Sequence, residues 1–230
     1  MKTIGLIGGM SWESTVPYYR DINEAVKARL GGLHSAQLVL FSVDFDTVAR
    51  LQREDRWEEA ADVMVAAARS LAAAGADLIV LATNTMHEVA PAIEAAAPVP
   101  LLHIADPTAA AIKAAGLSRV GLLGTRFTME RLFYRDRLRD LHGIETIVPE
   151  ESDRAEVHRV IYEELALGVL RDDSRSAFVN IIARLVDRGA QGIILGCTEI
   201  ALLVSASDSP VPLFDTGTLH ARAAVDRALG

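Results

Sequence analysis

The 230-residue chain has one cysteine, Cys197, and only three lysines, Lys2, Lys27 and Lys113. A single cysteine excludes an internal disulfide and fits a reducing, cytoplasmic setting. None of the lysines falls at an expected strand end, so a pyridoxal phosphate Schiff base has no candidate residue. His34, His87, His103, His142, His158 and His220 are scattered without metal-ligand spacing, and no cofactor is expected. Apolar runs such as Leu78 to Ala82 and Ile193 to Leu195 are far short of the roughly 20 residues a membrane helix needs. The N-terminus passes from one Lys straight into a Gly-rich turn, without the apolar stretch of a signal peptide. Acidic residues outnumber basic ones, 31 to 23, for a net charge of −8. Nucleic acid and anionic membrane are therefore poor partners. Half the residues are apolar, enough for a sizeable core in one large domain or two small ones.

The stretch Gly189-Ala-Gln-Gly-Ile-Ile-Leu-Gly-Cys-Thr-Glu-Ile200 holds that cysteine and has an echo earlier in the chain. When Gly75 is matched to Gly189, Ala76, Ile79 and Leu81 coincide with Ala190, Ile193 and Leu195, and Thr83 falls opposite Cys197. Each copy reads as a helix closed by Gly, a buried strand, then small polar residues at the strand's carboxyl end. Open α/β sheets bind ligands at such ends. Two more echoes occur in the same order: Ile4-Gly-Leu-Ile-Gly8 with Val120-Gly-Leu-Leu-Gly124, and Val99-Pro-Leu101 with Val211-Pro-Leu213. Together they predict two similar halves from a duplication, with a site between them presenting one side chain to each face of a small substrate.

In chain order, strands are expected at Thr3–Ile7, Gln37–Val43, Asp77–Ala82 and Pro100–Ile104, with helices between them. The Gly8-Gly9-Met10-Ser11 loop lacks both the P-loop spacing and the third glycine of a dinucleotide fingerprint, although its N–H groups suit a carboxylate. Asp106-Pro107 is expected to cap and open a helix. The second half repeats the scheme, with strands at Arg119–Leu123, Ile144–Val148, Gly192–Leu195 and Val211–Phe214, and helices at Thr128–Leu141, Asp153–Leu167 and Asp173–Arg188. The expected fold is α/β: two pseudo-symmetric three-layer αβα domains with parallel sheets. Residues 1–102, joined by the returning segment 211–230, form the first domain and residues 103–210 the second.

The segments Ile7-Gly-Gly-Met-Ser-Trp-Glu-Ser-Thr15, Leu30-Gly-Gly-Leu-His-Ser-Ala36, Thr83-Asn-Thr-Met-His87 and Leu195-Gly-Cys-Thr-Glu-Ile200 resemble those of the aspartate/glutamate racemase family, over essentially the whole chain. The resemblance implies a cofactor-independent amino-acid racemase in which one residue removes the α-proton and another returns it on the opposite face. The family usually has cysteine in both roles; here the positions are Cys197 and Thr83. It implies L to D as the faster direction, since the second cysteine serves the L-enantiomer, and homodimers are frequent in the family. An ordinary thiol is only about 3% ionised at neutral pH. Cys197 is expected to face the N-terminus of a following helix, which would favour thiolate. Thr83 is too weak an acid to stand as alkoxide, and also reads as a substrate-binding hydroxyl or a structural cap.

Asn84, Thr85, Thr125 and Thr198 match the family's positions that hold the α-carboxylate and amino group, and Met10, Ser11 and Gln52 are candidates for the far end of the substrate. His87 reads as a helix-start residue rather than a base. Where the glutamate-specific branch has Asp-Ser and His to assist its cysteines, this chain has Gly8-Gly9 and Glu199, so those helpers are expected to be missing. A lysine that some dicarboxylate-specific relatives carry is also absent from Ile161–Gly168, leaving Arg50, Arg53 and Arg126 as candidates for a side-chain carboxylate. Competing readings are a broad-specificity amino-acid racemase, a diacid decarboxylase or cis–trans isomerase using the lone cysteine, and a binding protein without catalysis.

Overall fold

The apolar runs form parallel strands buried on both faces. In the computed structural model, which describes residues 1–230, the first sheet contains β1 (Ile4–Gly8), β2 (Leu38–Ser42), β3 (Leu78–Leu81) and β4 (Leu101–Leu102), in the order β2-β1-β3-β4. Every neighbouring pair is parallel. The connections run through α1 (Trp12–Leu30), α2 (Phe45–Arg53), α3 (Trp57–Ala73) and α4 (Ala90–Ala96). Alternate strand residues enter different cores. Ile4, Leu6 and Val80 pack with Tyr18, Ile22 and Val26, whereas Ile7, Ile79 and Leu81 pack with Met64, Ala67 and Leu71. This two-sided burial accounts for the unbroken apolar runs in the sequence.

The second sheet contains β5 (Arg119–Gly124), β6 (Glu145–Ile147), β7 (Ile193–Gly196) and β8 (Leu213–Asp215) in the order β6-β5-β7-β8, again all parallel. Around it lie α5 (Ala105–Ala114), α6 (Arg126–Glu130), α7 (Leu132–His142), α8 (Glu151–Glu163), α9 (Asp172–Asp187) and α10 (Ile200–Leu203); α11 (Thr216–Leu229) ends the chain. The two sheets share one strand order, and the three sequence echoes occupy matching strands: β1 and β5, β3 and β7, β4 and β8. Gly5 and Gly121 are matched as well. A Cβ on Gly5 would press on Ala76 at 2.8 Å and one on Gly121 on Ile193 at 2.7 Å, so both glycines let a neighbouring layer approach.

Two compact units result, Met1–His103 with His220–Gly230, and Ile104–Leu219. Residues 211–219, expected to travel with the first half, stay in the second, because Leu213–Asp215 pairs with β7 and Thr216 Oγ1 donates to the Leu195 carbonyl at 2.9 Å. Other local expectations also change. The helix expected over Thr128–Leu141 is interrupted at Arg131, whose extended ψ of 148° separates α6 from α7. The helix expected through Leu167 ends at Glu163, because the Glu164 side chain turns inward to accept from Ser174 Oγ at 2.6 Å and Arg159 Nη1 at 2.9 Å. Asp106 does not cap α5. It lies inside the first turn and accepts from Arg137 Nε at 2.7 Å, with His142 Nε2 at 3.1 Å. No helix is long and apolar enough to cross a membrane.

Candidate active site

In the first unit the candidate residues gather at the carboxyl ends of two adjacent strands. Ile7 pairs with Leu81, and Ala82 N–H donates to the Ile7 carbonyl at 2.9 Å, so the chain after β3 starts beside the loop after β1. That loop turns on Gly9, whose φ of +92° suits glycine and whose Cβ would lie 2.2 Å from the Val43 carbonyl. Gly9 N–H donates to Thr15 Oγ1 at 2.8 Å, and Thr15 in turn donates to the Ser11 carbonyl, which fixes Met10 and Ser11 as buried residues. Gln52, buried on α2, donates through Nε2 to Met86 Sδ at 3.1 Å.

Thr83, Asn84 and Thr85 follow β3 and are all buried. The helix expected from Glu88 is preceded by a 3-10 segment, Thr85–Val89. This tight turn brings His87 Nδ1 to 2.7 Å from the Thr83 carbonyl. A carbonyl only accepts, so Nδ1 carries the proton, and the ring buttresses the Thr83 peptide. Behind it, His103 lies against the His87 ring at 4.4 Å between centroids. His220 donates through Nε2 to the Leu102 carbonyl at 2.8 Å and takes the Tyr18 hydroxyl at Nδ1, 3.0 Å away.

In the second unit, β5 and β7 end together, with Gly124 opposite Gly196. Thr125 and Cys197 are the next residues and therefore leave the sheet side by side. The two glycines permit this approach: a Cβ on Gly124 would lie 2.9 Å from the Gly196 carbonyl, and one on Gly196 2.8 Å from that of Leu123. Thr125 caps α6, accepting from Thr128 N–H at 3.2 Å. Arg126 extends over the Phe127 ring at 5.3 Å, while its N–H donates to His158 Nδ1 at 3.2 Å. Burial, and then the Arg126 charge, lower the His158 pKa and keep it a neutral acceptor.

Cys197 differs from expectation in its electrostatics. α10 begins only at Ile200 and has four residues, and Glu199 intervenes. The Cys197 thiol donates to Glu199 Oε2 at 2.8 Å, and Thr198 Oγ1 donates to the same oxygen at 3.0 Å. Burial, and then the Glu199 carboxylate, push the thiol pKa well above its ordinary value, although part of the side chain remains exposed. The resting sulfur is a thiol, hydrogen-bonded to a buried base. Glu199, read from sequence as a missing helper, is therefore the polar partner of the cysteine. Its spacing two residues past Cys197 was the available signal. Arg50 and Arg53 are exposed on α2, Arg50 facing Glu54 at 3.5 Å. No group of His, Cys, Asp and Glu is placed to hold a metal ion.

Residues 7–224 match the family model described as Asp/Glu/Hydantoin racemase. A crystal structure of a candidate Asp/Glu racemase from Yersinia pestis is 58% identical, covers 100% of both chains and superposes with a TM-score of 0.92. An aspartate racemase homologue from Pyrococcus horikoshii OT3 is 35% identical over 100% of both chains, with a TM-score of 0.85. The broad specificity amino-acid racemase of Bacillus subtilis is 24% identical over 98% of each chain. With its two matched parallel sheets and a family match over nearly its whole length, the chain belongs to the Asp/Glu/hydantoin racemase family and so to the amino-acid racemases among the isomerases.

Proposed function

We propose that the protein racemises aspartate and glutamate without a cofactor, by two-base transfer of the α-proton, with Cys197 serving the L-enantiomer and Thr83 the opposite face. The observation that carries this reading is the 2.8 Å hydrogen bond from Cys197 Sγ to Glu199 Oε2 at the end of a central strand. A thiol with a raised pKa is a poor base by itself. Joined to a carboxylate it becomes a relay: as the sulfur takes the α-proton, its own proton passes to Glu199. The substrate is left as a carbanion whose charge spreads onto the α-carboxylate. Neutral donors supplied by Asn84, Thr85, Thr125 and Thr198 stabilise that charge as it develops. Thr83 then gives its hydroxyl proton to the other face and recovers one from solvent, and Glu199 releases its proton. The D-enantiomer leaves with the enzyme unchanged.

The preference for a dicarboxylate rests on Arg126, which follows Thr125 directly and is steadied by the Phe127 ring. Met10, Ser11 and Gln52 line the far end of the substrate in this reading. The test is proton NMR of L-Asp and L-Glu in D2O with no added cofactor, alongside Cys197→Ala. The expected result is loss of the α-proton signal and appearance of the D-enantiomer in the wild type alone. Absence of exchange with both substrates overturns the dicarboxylate reading, and absence with a wider amino-acid panel overturns the racemase mechanism. Exchange that persists in Cys197→Ala removes Cys197 from its role.

A further inference from the structure

The short helix α6 is held in place by a residue on another helix. Its first N–H, that of Arg126, has no intrahelical carbonyl to bond. It donates instead to His158 Nδ1, 3.2 Å away on α8, while Thr125 Oγ1 takes the Thr128 N–H. The His158 ring is partly buried between two others. Phe127 meets it edge-on, with centroids 6.0 Å apart and planes at 89°, and Tyr162, one turn further along α8, lies at 4.7 Å. Phe127 is also the ring on which the Arg126 guanidinium rests. One imidazole thus holds the backbone of Arg126 by a hydrogen bond and its side chain through Phe127.

The arginine so held is one that the chain leaves uncommitted. Arg50 faces Glu54, Arg154 pairs with Glu130, and Arg159 pairs with Glu156 and Glu164. The Arg126 guanidinium is exposed, and no carboxylate of the chain pairs with it. It stands two residues beyond the carboxyl end of β5. A guanidinium takes a carboxylate through two parallel hydrogen bonds, and a stem that is already ordered loses less freedom when the ligand arrives.

His158 can hold Arg126 in this way only as a neutral ring. With Nδ1 accepting, the single proton sits on Nε2; a second proton would place a donor at Nδ1, facing the Arg126 N–H, and a positive charge beside the guanidinium. The charges that act on the ring are Arg126 and Glu130 on α6 and Glu163 on α8, and Tyr162 is the other titratable group against it. Both carboxylates are already shared, Glu130 with Arg154 at 3.0 Å and Glu163 with Arg159 at 3.6 Å. β5, α9 and the Leu165–Leu167 turn bring no further charge to the ring. We propose that His158 is the positioning residue for dicarboxylate selectivity: while neutral it fixes Arg126 by backbone and side chain together, and on taking a proton it releases the arginine and any substrate that depends on a second carboxylate. The inference rests on Arg126 as the anchor named in the proposed function.

The test is KM and kcat for L-Asp between about pH 5 and 8, followed by circular dichroism, in the wild type, His158→Asn and His158→Leu; over that range both substrate carboxylates stay largely ionised. The wild-type KM should be flat above about pH 6.5 and rise below it, where histidine takes a proton. His158→Asn keeps an acceptor near the Nδ1 position but does not titrate, so its KM should match the wild type at neutral pH and stay flat into acid. His158→Leu should raise KM about fivefold at every pH, the usual loss for one hydrogen bond, with kcat unchanged. In Arg126→Gln, adding His158→Leu should change KM no further, because the histidine acts through the arginine. Thermal melts check folding, and should the Leu variant not fold, the wild-type and Asn pH profiles decide. A wild-type KM indifferent to pH, an Asn variant whose KM still rises in acid as the wild type's does, or a Leu variant that lowers kcat at unchanged KM overturns the inference. A wild type that turns over neither L-Asp nor L-Glu removes the proposed function and the inference together, whereas turnover with a KM indifferent to His158 removes the inference alone.

Discussion

Replacing Glu199 by Gln separates two consequences that a merely structural residue would not separate. Glu199 Oε2 is 2.8 Å from the sulfur, and its charge opposes ionisation of the thiol. Two charges about 4 Å apart interact by about 1 kcal/mol in water and about 4 kcal/mol at an effective dielectric of 20. Cys197 is partly exposed, so the lower end applies, about 1 kcal/mol, or roughly fivefold in the thiolate fraction. Glu199→Gln should therefore lower the thiol pKa and speed alkylation by iodoacetamide about fivefold or more near pH 7.5. It should nevertheless slow racemisation, by about 10²-fold, since Gln cannot accept the thiol proton. The assays are alkylation followed by mass spectrometry across pH 6–10 and racemisation followed by circular dichroism. Faster alkylation with unchanged or faster racemisation would refute Glu199 as the acceptor. Unchanged alkylation would refute the electrostatic account of the thiol.

Thr83→Ala should leave solvent exchange at the α-carbon of the L-substrate largely intact while reducing formation of the D-enantiomer at least tenfold, so the ratio of exchange to inversion in D2O is the measurement. Thr83→Cys should raise kcat from the D-enantiomer, because a thiol is a far better base partner than a hydroxyl; no gain would place Thr83 away from the proton path. Gly196→Ala puts a methyl group 2.7 Å from Leu122 Cδ1 and 2.8 Å from the Leu123 carbonyl, and should cost about 1–3 kcal/mol in denaturant unfolding. The raised Cys197 pKa also links stability to pH. The folded chain keeps a proton that the unfolded thiol gives up above about 8.5, so this contribution is complete below that pH and lost as pH rises toward the folded value. Between pH 8 and 10 the wild type should lose thermal stability more steeply than Cys197→Ala.

The strands and the duplication were legible because burial on both faces leaves unbroken apolar runs, such as Ile4–Gly8 and Ile193–Gly196, that survive in both halves. Helix ends were less legible because they depend on distant partners. Glu164 stops α8 by turning toward Ser174, and Asp106 is drawn from a capping role by Arg137, neither of which local propensity encodes. At the site, sequence identified the strand-end residues but misjudged the charge around Cys197. The expectation relied on a helix N-terminus; the actual helix is one turn long and the carboxylate is closer. Distance decides such contests, because the dipole effect is worth typically 0.3–1 kcal/mol and a charge in hydrogen-bond contact is worth more.

If Cys197 and Thr83 carry the proton as proposed, their inequality is constrained by thermodynamics. The two enantiomers have the same free energy, so the equilibrium constant is one, and kcat/KM must be equal in both directions whatever the enzyme does. A strong carrier at Cys197 and a weak one at Thr83 therefore cannot favour one direction in kcat/KM. The difference must lie in the bound states: if kcat from L exceeds kcat from D tenfold, KM for L must exceed KM for D tenfold. Where KM reports binding, that corresponds to D-substrate held about 1.4 kcal/mol more tightly. On the proposed pairing, removal of the proton by the Thr83 side is slow because the D-complex rests in the deeper well. Progress curves started from each enantiomer give all four constants. Unequal kcat with matching KM ratios supports the asymmetric pair, whereas equal kcat values would mean that the Thr83 side carries protons as well as the Cys197 side and that the difference in residue type has been offset elsewhere in the site.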